Sequence, residues 1–386
     1  SEGLEQGFTL DRPPCGEPRG LQIHVGYVGA EPTQRGEIAE LCNSQRSACY
    51  RYSGLHAQDA TGRTLPSQLR VEGMSIRLSV DDHGAQYPVT VDPLVWLFMQ
   101  KLRAMDAAND ARLGTSLAMT SDLVATGAPG ATTAGFTNAG AVYVFSIGSS
   151  SFALQGKLVA ADPEISQGFG SSLAISGDTI AVGTVNSTVA GKAGAGAVYV
   201  FVRSGGLWMQ QAKLVASDAA ANASFGAAVA LDKDTLLVGS PAWTNMGRPY
   251  VGAGYLFTRS GGVWTEHSKL TVTTAADYDQ LGARVALDGK TAALTAIGVD
   301  VGGTVNVGAV YVFGESGGTW SQQAKIDAPA SAISTRSGFG YALSLANDTL
   351  AIGSDYSRAY VFARMGMAWM QQADISLLSY QLGRAL

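Results

Sequence analysis

Apolar and polar positions fall into short runs through most of this chain, and the runs recur. Within Phe169–Leu214, Ser171–Ser176 alternates and ends at Gly177-Asp178, a tight-turn pair. Thr179–Gly183 is β-branched and apolar, and Ala197–Arg203 is an almost unbroken apolar run. Such a run suits a strand buried on both faces. Trp208–Val215 follows, reached through Gly205-Gly206. The pattern predicts four short strands per unit and carries no helical periodicity, so the expected class is all-β.

The unit keeps strict register. Lysines open a common phase at Lys101, Lys157, Lys213, Lys269 and Lys325, each 56 residues after the last. The same step separates Trp96, Phe152, Trp208, Trp264 and Trp320, and separates Phe145, Phe201, Phe257 and Phe313. A last unit with Asp348, Phe362 and Trp369 slips out of step, and its second loop (Asp355–Arg358) is nearly absent. A four-stranded sheet repeated at a fixed period predicts a β-propeller, here of about five four-stranded blades. A solenoid is the alternative, for which 56 residues would be a long coil. Forty-eight glycines let sheet faces approach, and the Trp column is expected to pack between neighbouring blades. Five units carry all four strands, but the Trp strand occurs six times, so one strand is surplus. It either extends a blade, belongs to a larger ring, or marks an open arc completed by another copy.

Residues 1–92 do not repeat and predict a small β-rich, sandwich-like domain, with the propeller over 93–386. Leu21–Val28, Cys49–Tyr52, Val71–Val80 and Tyr87–Val91 read as its strands. Gly73 is expected to bulge or bend the third, and Pro88 to place the last at an edge. Asp92-Pro93 marks the boundary.

The units resemble FG-GAP repeats, the blades of the integrin α-subunit propeller and of many bacterial surface proteins. Phe169-Gly170, Phe225-Gly226 and Phe339-Gly340 match the first half of the motif, and Gly127-Ala128-Pro129 the second. Leu113-Gly114, Leu281-Gly282 and Gly239-Ser240-Pro241 are near matches, while Gly183-Thr184 and Gly353-Ser354 are degenerate. The likeness covers about Trp96 to Asp374. The leading segment resembles the small β domain that precedes such repeats in some bacterial exported proteins. In that family an Asp-rich loop between the first two strands often holds calcium. Here the equivalent turns, such as Ser176-Gly177-Asp178, are too short to offer six to eight oxygens, so no metal or cofactor is expected.

Charge and composition narrow the function. Charged residues make up 15% and the net charge is −5, without a basic run, which argues against nucleic acid. No apolar run reaches the length of a membrane span. The chain opens at Ser1 without Met, which reads as a processed or trimmed start. Cys42 and Cys49 stand close enough to close a small disulfide loop, with Cys15 as a competing partner or a free thiol. Low charge, few lysines and abundant Gly, Ser, Thr and Ala suit a secreted or cell-surface protein.

The loops between second and third strands, and those leading into each first strand, emerge on one face, where propellers tend to bind. Phe136, Trp243, Arg248 and Tyr250 are the contact candidates, because large side chains in Gly/Thr/Ser loops lack an obvious core role. Asp277 and Asp279, with Tyr278 between them, suit a cation or a sugar hydroxyl. Three functions compete. The first is a non-enzymatic extracellular binding or adhesion scaffold for a protein or glycan at the cell surface. The second is a self-assembling structural subunit of a surface fibre, a homo-oligomer built through exposed blade edges. The third is a glycan-active enzyme, for which no G-x-S-x-G, H-E-x-x-H, P-loop or paired-carboxylate signature stands in the chain.

Overall fold

Alternating segments cut by glycine-rich turns favour extended backbone, and no α-helix forms among the described residues of the computed structural model. The structure describes residues 8–13, 20–26, 31–42, 49–98, 102–104, 106, 110–148, 151–330, 333, 338–354, 358–366 and 368–376. Cys15, Lys101 and most of the short fifth loop lie outside them. Two compact units divide the chain: Ser1–Leu102 with Ser149–Phe152, and Arg103–Gly148 with Ala153–Leu386.

The first unit holds β1 (Phe8–Leu10), β2 (Leu21–Gly26), β3 (Glu31–Arg35), β4 (Ile38–Cys42), β5 (Cys49–Gln58), β6 (Ser67–Glu72), β7 (Ser75–Val80) and β8 (Val89–Phe98). They form one sheet in the order β1-β8-β5-β4-β3 and another in the order β2-β7-β6. One core serves this unit, with Leu41, Tyr52, Ile76, Leu78, Val89 and Val91 buried in it. A disulfide joins Cys42 of β4 to Cys49 of β5.

Three details of this unit depart from the sequence expectation. Val71–Val80 is a hairpin, not one bent strand. Glu72 pairs with Ser75 across a two-residue turn, and Gly73 takes the positive φ that the turn needs. Pro88 precedes β8, and β8 lies between β1 and β5, not at an edge. Nor does extended pairing stop at Asp92-Pro93. β5 bulges between Ser53 and His56, where two residues oppose Pro93 alone, so the missing proline N–H falls at a gap in the ladder. β8 therefore continues, and Trp96 pairs with Arg51. The surplus Trp strand belongs to this sheet and extends no blade.

The second unit holds five four-stranded antiparallel sheets. They are β9 (Leu117–Met119), β10 (Leu123–Ala128), β11 (Ala141–Ile147) and β12 (Phe152–Leu158); β13 (Ser172–Ser176), β14 (Thr179–Thr184), β15 (Ala197–Ser204) and β16 (Leu207–Leu214); β17 (Ala228–Asp232), β18 (Thr235–Ser240), β19 (Ala253–Ser260) and β20 (Val263–Leu270); β21 (Leu281–Asp288), β22 (Thr291–Ala296), β23 (Ala309–Ser316) and β24 (Thr319–Asp327); and β25 (Ala342–Ala346), β26 (Thr349–Ser354), β27 (Arg358–Met365) and β28 (Ala368–Ser376). Neighbours in sequence are neighbours in each sheet. The two middle strands are buried on both faces, as their unbroken apolar runs require.

Successive sheets pack face to face, the arrangement of propeller blades. Between the first two, Leu123, Ala125, Val142 and Val144 meet Phe169, Ile180, Val182, Tyr199 and Phe201. The next three interfaces repeat this with the same registers. The Phe-Gly pair has two physical tasks. Phe169 is fully buried and meets Tyr199 and Phe201 edge-on, at 5.6 and 5.9 Å between centroids. Gly170 brings bare backbone against the preceding sheet, where a Cβ on Gly127 would stand 2.0 Å from the Gly170 carbonyl oxygen. The pairs Gly183 with Gly226 and Gly239 with Gly282 repeat that approach.

Candidate functional site

Each long loop between second and third strands docks on the segment leading into the next sheet. Phe169, Phe225, Leu281 and Phe339 donate their backbone N–H to Ala139, Ala195, Val251 and Val307. The loop-bearing end of the unit is thereby a continuous surface of backbone-tied loops.

Beneath those loops a three-residue network repeats. The Tyr143 hydroxyl and Lys157 ammonium both donate to Asp106, at 2.6 and 2.5 Å. Tyr199 and Lys213 do the same to Asp162, and Tyr255 and Lys269 to Asp218. Burial pushes Tyr199 up to about 12, helped by the Asp162 carboxylate that accepts its hydrogen bond. Burial also opposes ionisation of Asp162 and Asp218, but the lysine and tyrosine donors outweigh it and hold both carboxyls below their ordinary value.

The fourth sheet breaks this network. Tyr311 and Lys325 are in place, but Thr274 stands where the other three have Asp. Lys325 turns to Asp327, 2.6 Å away. A cavity of about 430 Å³ opens there, lined by Thr274, Asp277, Tyr278, Asp279, Asp300 and Lys325 among others. Asp279 is buried at its wall and accepts from the Ala276 N–H at 2.5 Å. Burial, with the charge of Asp300, raises its carboxyl above the ordinary value despite that hydrogen bond. Tyr311 is pushed up to about 12, by burial first and then by the Asp279 charge. A buried carboxyl, and a threonine where the other sheets carry an aspartate, make a polar recess able to accept a donor group.

Four of the six contact candidates meet here. Arg248 pairs with Asp277 at 2.9 Å. Tyr250 stacks on Tyr278 with centroids 5.7 Å apart and planes within 17°. Asp279 lies behind them in the cavity. Both tyrosines are exposed, as are Met246 and Val305 on the flanking loops.

The other two candidates lie elsewhere. Trp243 covers the intact network of the third sheet. Lys269 sits 3.2 Å from its ring centre, and its indole N–H donates to Asp218. That is the anchoring role for a large loop side chain. Phe136 stands in the first sheet's loop, in a tight turn closed by Thr133. Asp300 and Thr274 are not among the sequence candidates, although the column Asp106, Asp162, Asp218, Thr274 keeps the 56-residue step and shows the break.

The opposite end of the unit carries the short turns. Their aspartates bind arginines of the third strand, Asp178 to Arg203 at 2.7 Å and Asp234 to Arg259 at 2.6 Å. Exposed pairs of this kind add little stability. Among the described residues, no group of three or more His, Cys, Asp or Glu is arranged to hold a metal ion. A cavity of about 520 Å³ in the first unit, lined by Gln34, Glu37, Leu55 and Arg70 among others, has only exposed charged groups on its wall. No helix among the described residues is long and apolar enough to cross a membrane.

Four stretches, residues 96–145, 152–201, 208–257 and 264–313, match the model of the FG-GAP repeat family. No curated protein matches the chain. Each matched stretch is out of phase with the sheets. The second opens on β12 of the first sheet and closes on β15 of the next, so the repeat ties successive sheets covalently.

Proposed function

The chain belongs to the FG-GAP repeat family, whose repeats span 200 of its 386 residues, and from that premise we propose that it is a secreted or cell-surface binding protein without catalysis of its own. Repeats of this family suggest a protein-binding propeller scaffold. The finer reading is that the loop end of the third and fourth sheets is the contact surface and that the partner is a protein.

One observation carries it: the stacked, exposed Tyr250–Tyr278 pair stands beside the polar recess left where the Asp–Tyr–Lys network is broken. Tyrosine and Met surfaces with buried polar groups behind them favour protein contacts. The recess suits a Lys or Arg side chain of the partner, set against Asp279 and Asp300.

The test is retention of the full chain on immobilised panels of cell-surface proteins and of glycans. Tyr278→Ala and Tyr250→Ala are expected to lower retention on a protein at least tenfold, with the thermal midpoint unchanged. Retention on glycans alone would replace the protein by a sugar. Retention that neither variant alters would refute the assignment of the surface.

A further inference from the structure

One column of the repeat sets the second and fourth sheets apart. Ala111, Gln167, Ala223 and Asp279 follow one another at the 56-residue step, and all four are buried. Gln167 is satisfied from within its own sheet. Its amide oxygen accepts the Glu164 N–H at 3.3 Å, and its amide nitrogen donates to Ser187 and Tyr199 at 3.0 and 2.9 Å. Asp279 repeats only the first of these bonds, from the Ala276 N–H to its Oδ2. Val299 stands at the place of Ser187, and a carboxylate has no hydrogen to give Tyr311. Asp279 is 5% exposed, yet among the described residues no donor reaches its Oδ1.

The recess around that oxygen is short of cations. Asp277 is matched by Arg248 at 2.9 Å and Asp327 by Lys325 at 2.6 Å, whereas Asp279 and Asp300 have no ion-pair partner among the described residues. A buried carboxylate without a partner costs free energy, and burial with the Asp300 charge raises the Asp279 carboxyl accordingly. Each acid at the wall also keeps just one oxygen open. The Ala276 N–H holds Asp279 Oδ2, the Asn306 N–H holds Asp300 Oδ1 at 2.9 Å, and Arg248 holds Asp277 Oδ1.

We propose that this recess takes the ammonium of a partner protein's lysine side chain in preference to an arginine guanidinium, an inference that rests on the contact surface proposed for the loop end and names its ligand. A guanidinium binds best as a planar fork across both oxygens of one carboxylate, which no acid here presents. An ammonium is a compact charge with three donors free to turn. It meets the single open oxygens of Asp279 and Asp300, which stand on different loops of the fourth sheet and line one cavity. Tyr278, Val299 and Val305 line the same cavity and offer apolar surface to the four-carbon stem.

Saturation-transfer difference NMR on the full chain at neutral pH tests it, with Nα-acetyl-lysine methylamide and Nα-acetyl-arginine methylamide as probes. Saturation of the lysine methylenes is expected to exceed that of the arginine methylenes about threefold or more. Alanine methylamide, whose α-ammonium stands for the start of a chain, lacks the stem and is expected to stay near background. Asp279→Asn and Asp300→Asn are each expected to lower the lysine signal about threefold or more, with the thermal midpoint of exposed Asp300→Asn unchanged. Equal saturation of the arginine probe overturns the preference for an ammonium. Equal saturation of alanine methylamide overturns the assignment to a side chain. A lysine signal absent from the wild type, or unaltered by both variants, overturns the inference as a whole. The contact surface itself fails separately, when Tyr250→Ala and Tyr278→Ala leave retention on a protein unaltered.

Discussion

Asp279 shows at the scale of one residue how the candidate site trades stability for chemistry. Burial and the Asp300 charge raise its carboxyl, so the folded chain holds a proton there more tightly than the unfolded chain does. The stability tied to that proton is full below the ordinary carboxylate range and is lost as pH rises through the raised value. Asp279→Asn removes the ionisation and keeps an oxygen to accept the Ala276 N–H. Its thermal midpoint is expected to match the wild type in acid and to exceed it at neutral pH. A midpoint below the wild type at neutral pH would show that the carboxylate stabilises its loop. Asp277 and Asp279 stand out in the sequence as acids flanking a tyrosine. Neighbours in sequence do not reveal that one of them is buried in a cavity. Asp279 is buried because its place in the repeat is buried throughout, as Ala111, Gln167 and Ala223 show at the same step.

At the scale of the strand, the Trp column divides into members with different duties. Trp264 is buried between sheets, and its indole N–H donates 2.8 Å across to Gln211 of the preceding sheet. Trp208 holds the same position one unit earlier, but Gln155, the counterpart of Gln211, donates instead to Ser146. The Trp208 indole nitrogen is buried with no hydrogen-bond partner. Truncation of Trp264 to Ala is expected to cost about 3–5 kcal/mol. Trp264→Phe is expected to cost about 1 kcal/mol for the lost hydrogen bond, while Trp208→Phe is close to neutral. Denaturant midpoints of the three variants measure the difference, and an equal cost for both Phe variants would refute the distinction. The 56-residue step reveals the column, but only the pairing of Ser146 with Gln155 separates its members.

For the molecule as a whole, repetition governs where stability lies. A stacked repeat is stabilised by its neighbours, so one with a bare face is the weakest. Amides of β26 and β27, where Ala351 and Val361 are only half-buried, are therefore expected to exchange with solvent faster than those of β18 and β19, where Leu237 and Leu256 are fully buried. Equal protection would show that this difference in burial does not set local stability. The leading domain has its own core and its own disulfide. Its last strand also resolves the strand count, since β8 takes the Trp96 segment and leaves each of the five sheets with four strands.

The all-β class, the four-stranded unit and its register follow from local pattern alone. Strand period, turn glycines and a fixed repeat are short-range properties, and each unit states them again. The Phe-Gly and Gly-Ala-Pro motifs are legible for the same reason, although their purpose is not: Gly127 and Gly170 lie 43 residues apart and meet only when sheets stack. Tertiary structure alone decides the rest. It passes the Trp96 strand to the leading sheet because a bulge in β5 accommodates Pro93. It brings Tyr250 onto Tyr278 and leaves Asp279 in a recess, because adjoining loops from successive sheets dock on one another. It leaves Ala351 and Val361 half-buried and Ile375 exposed, though their sequence is that of the fully buried sheets, because burial depends on what packs against a face and not on the face's own residues.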